Sequence, residues 1–302
     1  MIRFDDLQVF VQTADAGSFS AAARQLDITP ARASTALKRL ERVLGTRLFV
    51  RSTRSMRLSD DGERYLPHAR ATLSAIDGGD QALAQGRGEI AGLLRLSVPS
   101  DLGRNVLVPW LDAFQAMHPK VTLHLRVSDR PIDLLRQPVD AGVRYGNPPA
   151  DSNLVAQLLA PNNRRTLCAS PEYLHRCGRP ATPEDLRQHN CLRYVWGEHI
   201  HEHWHFNLPR GIQTITVSGD RVSDDADVVR RWAVAGYGLV YKSHIDVTAD
   251  MAAGRLLSLF PDAYGELAPL NLVTAHRSQL SPVILALRDY LRARCRAIGN
   301  TI

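Results

Sequence analysis

Residues 17–57, GSFSAAARQLDITPARASTALKRLERVLGTRLFVRSTRSMR, decide the reading of this chain. They read as two short helices joined by a tight turn and followed by a basic hairpin. Ser18 can cap a helix running through Ala21, Ala22 and Ala23 to Leu26, its side-chain oxygen accepting an amide that the first turn leaves unpaired. Asp27-Ile28 makes the turn. Thr29 then stands as a second cap, with Pro30 at the first helical position, where its missing N–H costs nothing. Ala33, Leu37, Leu40 and Leu44 recur at steps of four, three and four, the spacing of one buried helical face. Gly45 ends that helix, and Leu48-Phe49-Val50 opens the first strand of the hairpin.

Charge is concentrated in the same stretch. Arg24, Arg32, Lys38, Arg39, Arg42, Arg47, Arg51, Arg54 and Arg57 face only Asp27 and Glu41, a local excess of +7 in a chain whose formal net charge is +6. The remaining residues are therefore close to neutral. A clustered positive field on elements able to enter a groove is the footprint of a DNA-binding module. An amphipathic helix pair with a solvated basic face is the competing reading, and the accompanying hairpin weighs against it.

SFSAAARQLDIT, followed by ALKRLERVLGTRLFVRSTRSMRLSDDGERYL, resembles the N-terminal winged helix-turn-helix of LysR-type transcriptional regulators. The resemblance continues through most of the chain. It implies a recognition helix within Pro30 to Leu44 and a wing at Arg51 to Arg57. Arg32, Ser34, Thr35, Lys38 and Arg39 become candidate groove or phosphate contacts, and Arg54 matches the wing arginine that approaches the minor groove. Ser18, Ser20, Thr29, Arg51 and Arg57 complete the candidate DNA-binding set. The family often carries glutamine where this chain has Pro30 and arginine where it has Thr35, which leaves Arg32 to supply a contact to guanine.

At 302 residues, 44 % hydrophobic and 6 % aromatic, the chain is long enough for two domains with a sizeable core. Arg3, Asp5 and Asp6 interrupt any signal-peptide pattern, and no apolar run approaches the roughly 20 residues of a membrane span. A cytoplasmic, nucleoid-associated protein is expected. No nucleotide loop, helical HExxH or GxSxG elbow is present, so no enzyme and no cofactor are expected. Cys168, Cys177, Cys191 and Cys295 lack zinc-ribbon spacing and read as reduced, packed thiols, with a redox pair of Cys168 and Cys177 as the alternative.

After the hairpin, Ser59 caps a long helix expected from Asp60 to Gln85. Leu66, Ala69, Leu73, Ile76, Asp80 and Leu83 form a heptad-like seam on it, read as a dimer contact rather than as packing on its own domain. The family resemblance implies the same linker-helix homodimer and favours a homotetramer. Pro67 and Gly78-Gly79 are imperfections in the helix, and 86–92 reads as a hinge. Expected domains are a DNA-binding domain over 1–58, a linker helix over 59–87 and an effector-binding domain over 88–302.

Beyond the hinge, strands at 93–98, 121–127, 141–145, 165–169, 214–217 and 270–274 alternate with helices at 101–117, 132–135, 225–235 and 282–296. Such alternation implies an α/β, doubly wound fold. The resemblance sharpens this to two lobes like a periplasmic solute-binding protein, with the chain crossing between them twice. Ligands in such folds sit where helix N-termini offer free amides, which favour an anion. Ser100 and Ser223-Asp224 meet that condition, although both serines can equally serve as caps. The resemblance adds Ser128, Asp129, Tyr145 and Val222.

His199, His201, His203 and His205 alternate and would share one face of a strand, yet same-face neighbours lie about 7 Å apart, too far for one metal to reach all four. Solvated or partner-facing histidines are the favoured reading, and no metal is assigned. The function expected is a DNA-binding regulator modulated by a small, anionic effector. The alternatives are a constitutive repressor whose C-terminal domain only assembles oligomers, and a metal-responsive regulator using His199–His205.

Overall fold

Side-chain caps and left-handed glycines set the boundaries at the start of the chain. In the computed structural model, which describes residues 1–51, 56–85, 89–130, 134, 137, 139–148, 154–197, 199–275 and 280–299, helix α1 (Phe4–Ala16) stops at Gly17, whose φ of 65° suits a residue without a side chain. Helix α2 (Phe19–Gln25) starts where Ser18 Oγ accepts the Ala21 N–H at 3.2 Å. Asp27, at φ 52°, turns the chain into α3 (Pro30–Leu44), capped by Thr29 Oγ1 on the Arg32 N–H at 3.3 Å. Strands β1 (Phe49–Arg51) and β2 (Met56–Leu58) then pair antiparallel, with Val50 opposite Arg57. Phe10, Leu37, Leu40 and Leu48 close the core of this unit.

Helix α4 (Asp60–Gln85) follows, its first turn capped by Ser59 Oγ on the Gly62 N–H at 3.0 Å. Asp60, Asp61 and Glu63 lie at its positive end. The seam expected along this helix is divided. Leu66 and Ala69 are buried in the core formed with α1 and β1, and Leu73 packs against it. Ile76 and Leu83 remain exposed. The start of the seam therefore belongs to its own domain, because α1 folds back over it; the side chain of Asp80 lies outside the described residues.

The C-terminal region forms two lobes. The first begins with β3 (Ala91–Val98), α5 (Ser100–Leu102), a π-helical stretch (Gly103–Leu107), α6 (Val108–Met117), β4 (Lys120–Val127), β5 (Ala141–Tyr145) and β6 (Val155–Ala160). The chain then crosses into β7 (Arg165–Ala169), α7 (Pro171–Cys177), a 3-10 turn (Pro183–Gln188), β8 (Arg193–Trp196), β9 (His199–Ile200), β10 (His203–Leu208), β11 (Gly211–Thr216) and β12 (Val222–Ser223). It continues through α8 (Ala226–Val234), β13 (Val240–Ser243), α9 (His244–Ala252) and β14 (Leu257–Ser258), and after a 3-10 turn (Asp262–Tyr264) returns as β15 (Leu270–Thr274) and α10 (Pro282–Gly299).

The first lobe is one five-stranded sheet of order β4-β3-β5-β15-β6, parallel through β4, β3 and β5 and antiparallel where the returning β15 inserts. Among the described residues the second lobe carries three small sheets, of order β10-β11, β12-β8-β9 and β13-β7-β14. Asn163 braces the two crossings: its amide donates to Ala268 O at 2.6 Å and Ser243 Oγ at 3.0 Å.

Local departures from expectation have physical causes. The helix expected over 101–117 is broken by the π-helical stretch just before Pro109, whose ring cannot donate and crowds the preceding turn. Ala91 and Gly92, placed in the hinge, already pair with Lys120 and Val121 in the sheet; residues 86–88 lie outside the described residues, as does most of the short helix expected at 132–135. Strands β6 and β8 were not expected. No described helix is long and apolar enough to cross a membrane.

Candidate functional site

The exposed face of α3 carries Arg32, Thr35 and Lys38, with Ser34 half-buried beside them. Arg42, Arg47 and Arg57 are also exposed, as are Ser18 and Ser20 near the start of α2. Thr29 Oγ1 accepts the Arg32 N–H as the cap of α3, and the Thr35 hydroxyl donates back to Ala31 O at 2.9 Å. Glu41, one of the two acids in the basic stretch, accepts the Leu48 N–H at 2.8 Å and so holds the hairpin to α3. Arg54 lies outside the described residues, and the side chain of Arg51 is likewise not described.

Arg39 departs from its expected role. Its Nε donates to Asp6 Oδ2 at 2.7 Å and its Nη2 to Oδ1, a bidentate pair with a carboxylate that is only 1 % exposed. The hydrogen bond raises the guanidinium pKa still further. Arg39 therefore ties α3 to α1 and is a poor candidate for a groove contact, because moving it would strand a buried carboxylate.

Between the two lobes lies a cavity of about 430 Å³. Ser128, Asp129 and Tyr145 line it, as expected; Ser100, Val222, Ser223 and Asp224 do not. Ser100 is buried, its N–H donates to Asp129 Oδ1 at 2.8 Å, and its hydroxyl donates to Asp129 Oδ2. Asp129 Oδ2 also accepts the Ala226 N–H, at 2.8 Å, from the first turn of α8 on the other lobe. The next amide, Asp227 N–H, meets Asp225 Oδ1 at 3.0 Å and Ser100 Oγ at 3.3 Å, and the Val228 N–H meets Asp225 at 3.4 Å. The amides expected to be free for an anion are thus filled by the chain's own carboxylates. Asp225, not Ser223, caps α8; Ser223 Oγ accepts the Asp225 N–H at 3.1 Å. Val222 pairs in β12 with Arg193, and Asp224 is exposed.

Further ion pairs span the lobes beside this contact. Arg104 reaches Asp225 at 2.7 Å, and Arg230 reaches Asp101 at 2.8 Å. Tyr145 OH donates to Asp246 at 2.6 Å. Buried Lys242 contacts Asp101 and stands 3.7 Å from Asp246. Burial pushes the Asp246 carboxyl up to about 7, opposed by Lys242 and assisted by Asp101.

All four alternating histidines line the cavity, but not as one strand. Gly197, at φ 64°, turns β8 back onto β9, and the chain breaks again at His201-Glu202 before β10. His201 stacks on Tyr194 with centroids 4.9 Å apart, and burial beside Arg165 drives its pKa down to about 3, leaving a neutral ring. His203 and His205 engage Thr216 and Thr214 on the paired strand. Among the described residues no group of three or more His, Cys, Asp or Glu could hold a metal ion. Arg144, Arg165 and Lys242, which also line the cavity, were not singled out from the sequence. All four cysteines are free; burial pushes Cys168 and Cys191 to about 12 and Cys295 to about 11, so these three stay protonated at neutral pH.

Comparison with known proteins matches this arrangement at both ends of the chain. Residues 4–63 match the family model described as a bacterial regulatory helix-turn-helix protein of the lysR family, and residues 87–296 match the LysR substrate binding domain. The HTH-type transcriptional activator TtdR of Escherichia coli (strain K12) is 30 % identical over 293 residues, covering 96 % of this chain and 93 % of the relative. The HTH-type transcriptional regulator DmlR of the same strain is 32 % identical over 277 residues, covering 92 % and 89 %. CrgA, a LysR-type transcriptional regulator from Neisseria meningitidis, superimposes with a TM-score of 0.60 at 29 % identity, covering 98 % of each chain.

Proposed function

The chain belongs to the LysR-type family of transcriptional regulators, and from that premise we propose that its binding to promoter DNA is set by a small anionic effector held between the two lobes. The observation that carries this reading is the pairing of a cavity of about 430 Å³ with hydrogen bonds and ion pairs that cross it from one lobe to the other. A ligand that enters such a cleft must interact differently with its closed and open arrangements, which is the requirement for shifting an equilibrium between them.

Arg32, Lys38, Ser34 and Thr35 on α3 contact the DNA in this account, with Ser18, Ser20, Thr29, Arg51, Arg54 and Arg57 at the flanks. The exposed part of the α4 seam, Ile76 and Leu83, joins two copies into a homodimer, and two dimers form the tetramer that acts in the cytoplasm on the nucleoid. The domains divide at 1–58, 59–87 and 88–302. Each reading places the recognition helices of paired copies at a spacing that the lobes control.

Selection from a pool of genome-derived DNA fragments tests the proposal. The protein should retain a small set of fragments at about 150 mM salt, and a small carboxylate should change which fragments it retains or how tightly. Retention that no small molecule alters would support the constitutive alternative. Failure to retain any fragment even at low salt would remove the DNA-binding reading itself.

A further inference from the structure

Among the described side chains around the cavity, one charge is left unanswered. Lys242 faces Asp101 and Asp246, and Arg165 lies 3.2 Å from Glu266. Glu202 lies 3.3 Å from Arg193, and both oxygens of Asp129 are spent on Ser100 and Ala226. Arg144 differs. Its Nη1 donates to Ser97 O at 3.1 Å and Val143 O at 2.7 Å, and its Nη2 donates to Ser97 Oγ at 2.7 Å. These acceptors are all neutral, and the three bonds leave two of the five N–H groups of the guanidinium without a partner among the described residues. Among the described residues no carboxylate stands within ion-pair distance of it. Asp129 acts on it only at longer range, and burial lowers its pKa to about 10.

The same cavity has an apolar mouth. Trp196, Ile200 and Leu267 line it while remaining 64 %, 43 % and 51 % exposed. Large apolar side chains left in water beside a cleft gain by being covered. A second carboxylate on a ligand would find the other described lysine and arginine of the lining, Lys242 and Arg165, already paired with acids of the chain.

We infer that Arg144 anchors the carboxylate of a monoanionic effector whose remaining body is apolar and lies against Trp196, Ile200 and Leu267. This rests on the cleft being the effector site, and it narrows the effector class from small anions in general to monocarboxylic acids with an aromatic or aliphatic body. The two remaining N–H groups match the two oxygens of a carboxylate, the geometry that distinguishes arginine from lysine at such positions.

Titration calorimetry on the full chain near pH 7, with benzoate, phenylacetate and hexanoate as probes and benzamide and succinate as controls, tests it. At least one monocarboxylate should bind with a Kd of about 1 mM or tighter, with benzamide and succinate each at least about tenfold weaker. Arg144→Gln should weaken the bound probe at least about tenfold, and Arg144→Lys should fall between, since a single ammonium keeps the charge but loses the fork. If Arg144→Gln does not fold, the contrast between benzoate and benzamide on the unaltered protein decides. Equal binding of that pair, tighter binding of succinate, a folded Arg144→Gln with unchanged affinity, or no binding of any monocarboxylate up to about 10 mM would each overturn the inference. Arg144-dependent binding with no effect on DNA would uphold the anchor and remove gating. A DNA response that ignores Arg144 would do the reverse.

Discussion

Asp129 in the first lobe accepts the Ala226 N–H of the second lobe at 2.8 Å, so a carboxylate of the chain itself sits where an effector anion was expected. It also holds the Ser100 N–H at 2.8 Å and the Ser100 hydroxyl. A charged acceptor shared by two lobes is a latch that joins them in the arrangement described.

Removing the latch should loosen the lobes. Asp129→Ala strips charge-assisted bonds from Ser100 and Ala226 and is expected to lower the stability of the C-terminal region by on the order of 2 kcal/mol. The Ala226 amide should then exchange with solvent markedly faster, and Asp129→Asn should fall between. Unchanged exchange at Ala226 in a folded Asp129→Ala protein would show that the contact holds nothing closed.

Neighbouring basic residues on α3 should behave oppositely. Lys38 is exposed, so Lys38→Ala should leave thermal stability unchanged, weaken DNA binding, and reduce the slope of log affinity against log salt by about 0.9 if it meets one phosphate. Arg39→Ala should lower thermal stability first, because Asp6 is left buried without its partner. Equal melting temperatures for the two variants would refute this division.

Gly62 marks a close approach that only its lack of a side chain allows. A Cβ there would stand 2.0 Å from the Leu48 carbonyl oxygen, a backbone atom of the hairpin that also accepts the Ser59 N–H at 2.9 Å. Gly62→Ala should therefore push α4 away from the hairpin and destabilise the DNA-binding unit by about 2 kcal/mol or more, despite the better helix propensity of alanine. A gain in melting temperature would mean the backbone yields at no cost.

These contrasts show which parts of the molecule are local enough to read. The caps at Ser18, Thr29 and Ser59 and the stop at Gly45 depend on adjacent residues, and α3 and α4 have the expected ends, whereas α1 and its stop at Gly17 were not expected. The role of Arg39 depends on Asp6, 33 residues away on another helix, and no spacing rule connects them. The pairing of Asp129 with Ala226 spans 97 residues and two lobes. The histidine run misled because alternation was read without the break at His201-Glu202, which separates β9 from β10. Arg144 carried no signal at all in a strand of apolar neighbours; burial without a counter-ion among the described residues sets it apart.

The buried carboxyl of Asp246 provides a pH test. Its pKa in the fold, pushed up to about 7 by burial, exceeds the roughly 3.9 of an unfolded aspartate, so between these values the folded chain holds a proton that the unfolded chain has lost. Its contribution to stability is therefore greatest at low pH and falls as pH rises toward 7, where it levels off. The difference in unfolding free energy between the natural protein and Asp246→Asn should fall across that interval, the other carboxylates cancelling. A difference that rises instead would mean that Lys242 holds Asp246 ionised throughout.

Occupation of the inter-lobe cleft should change how the protein sits on DNA. A DNase footprint on the region upstream of its own gene and on fragments selected from the genome, with and without an apolar monocarboxylate, tests it most directly. A long protected tract with internal hypersensitive positions is expected, its length or hypersensitivity changing when the carboxylate is added. A specific footprint that stays the same with every bound carboxylate would contradict it.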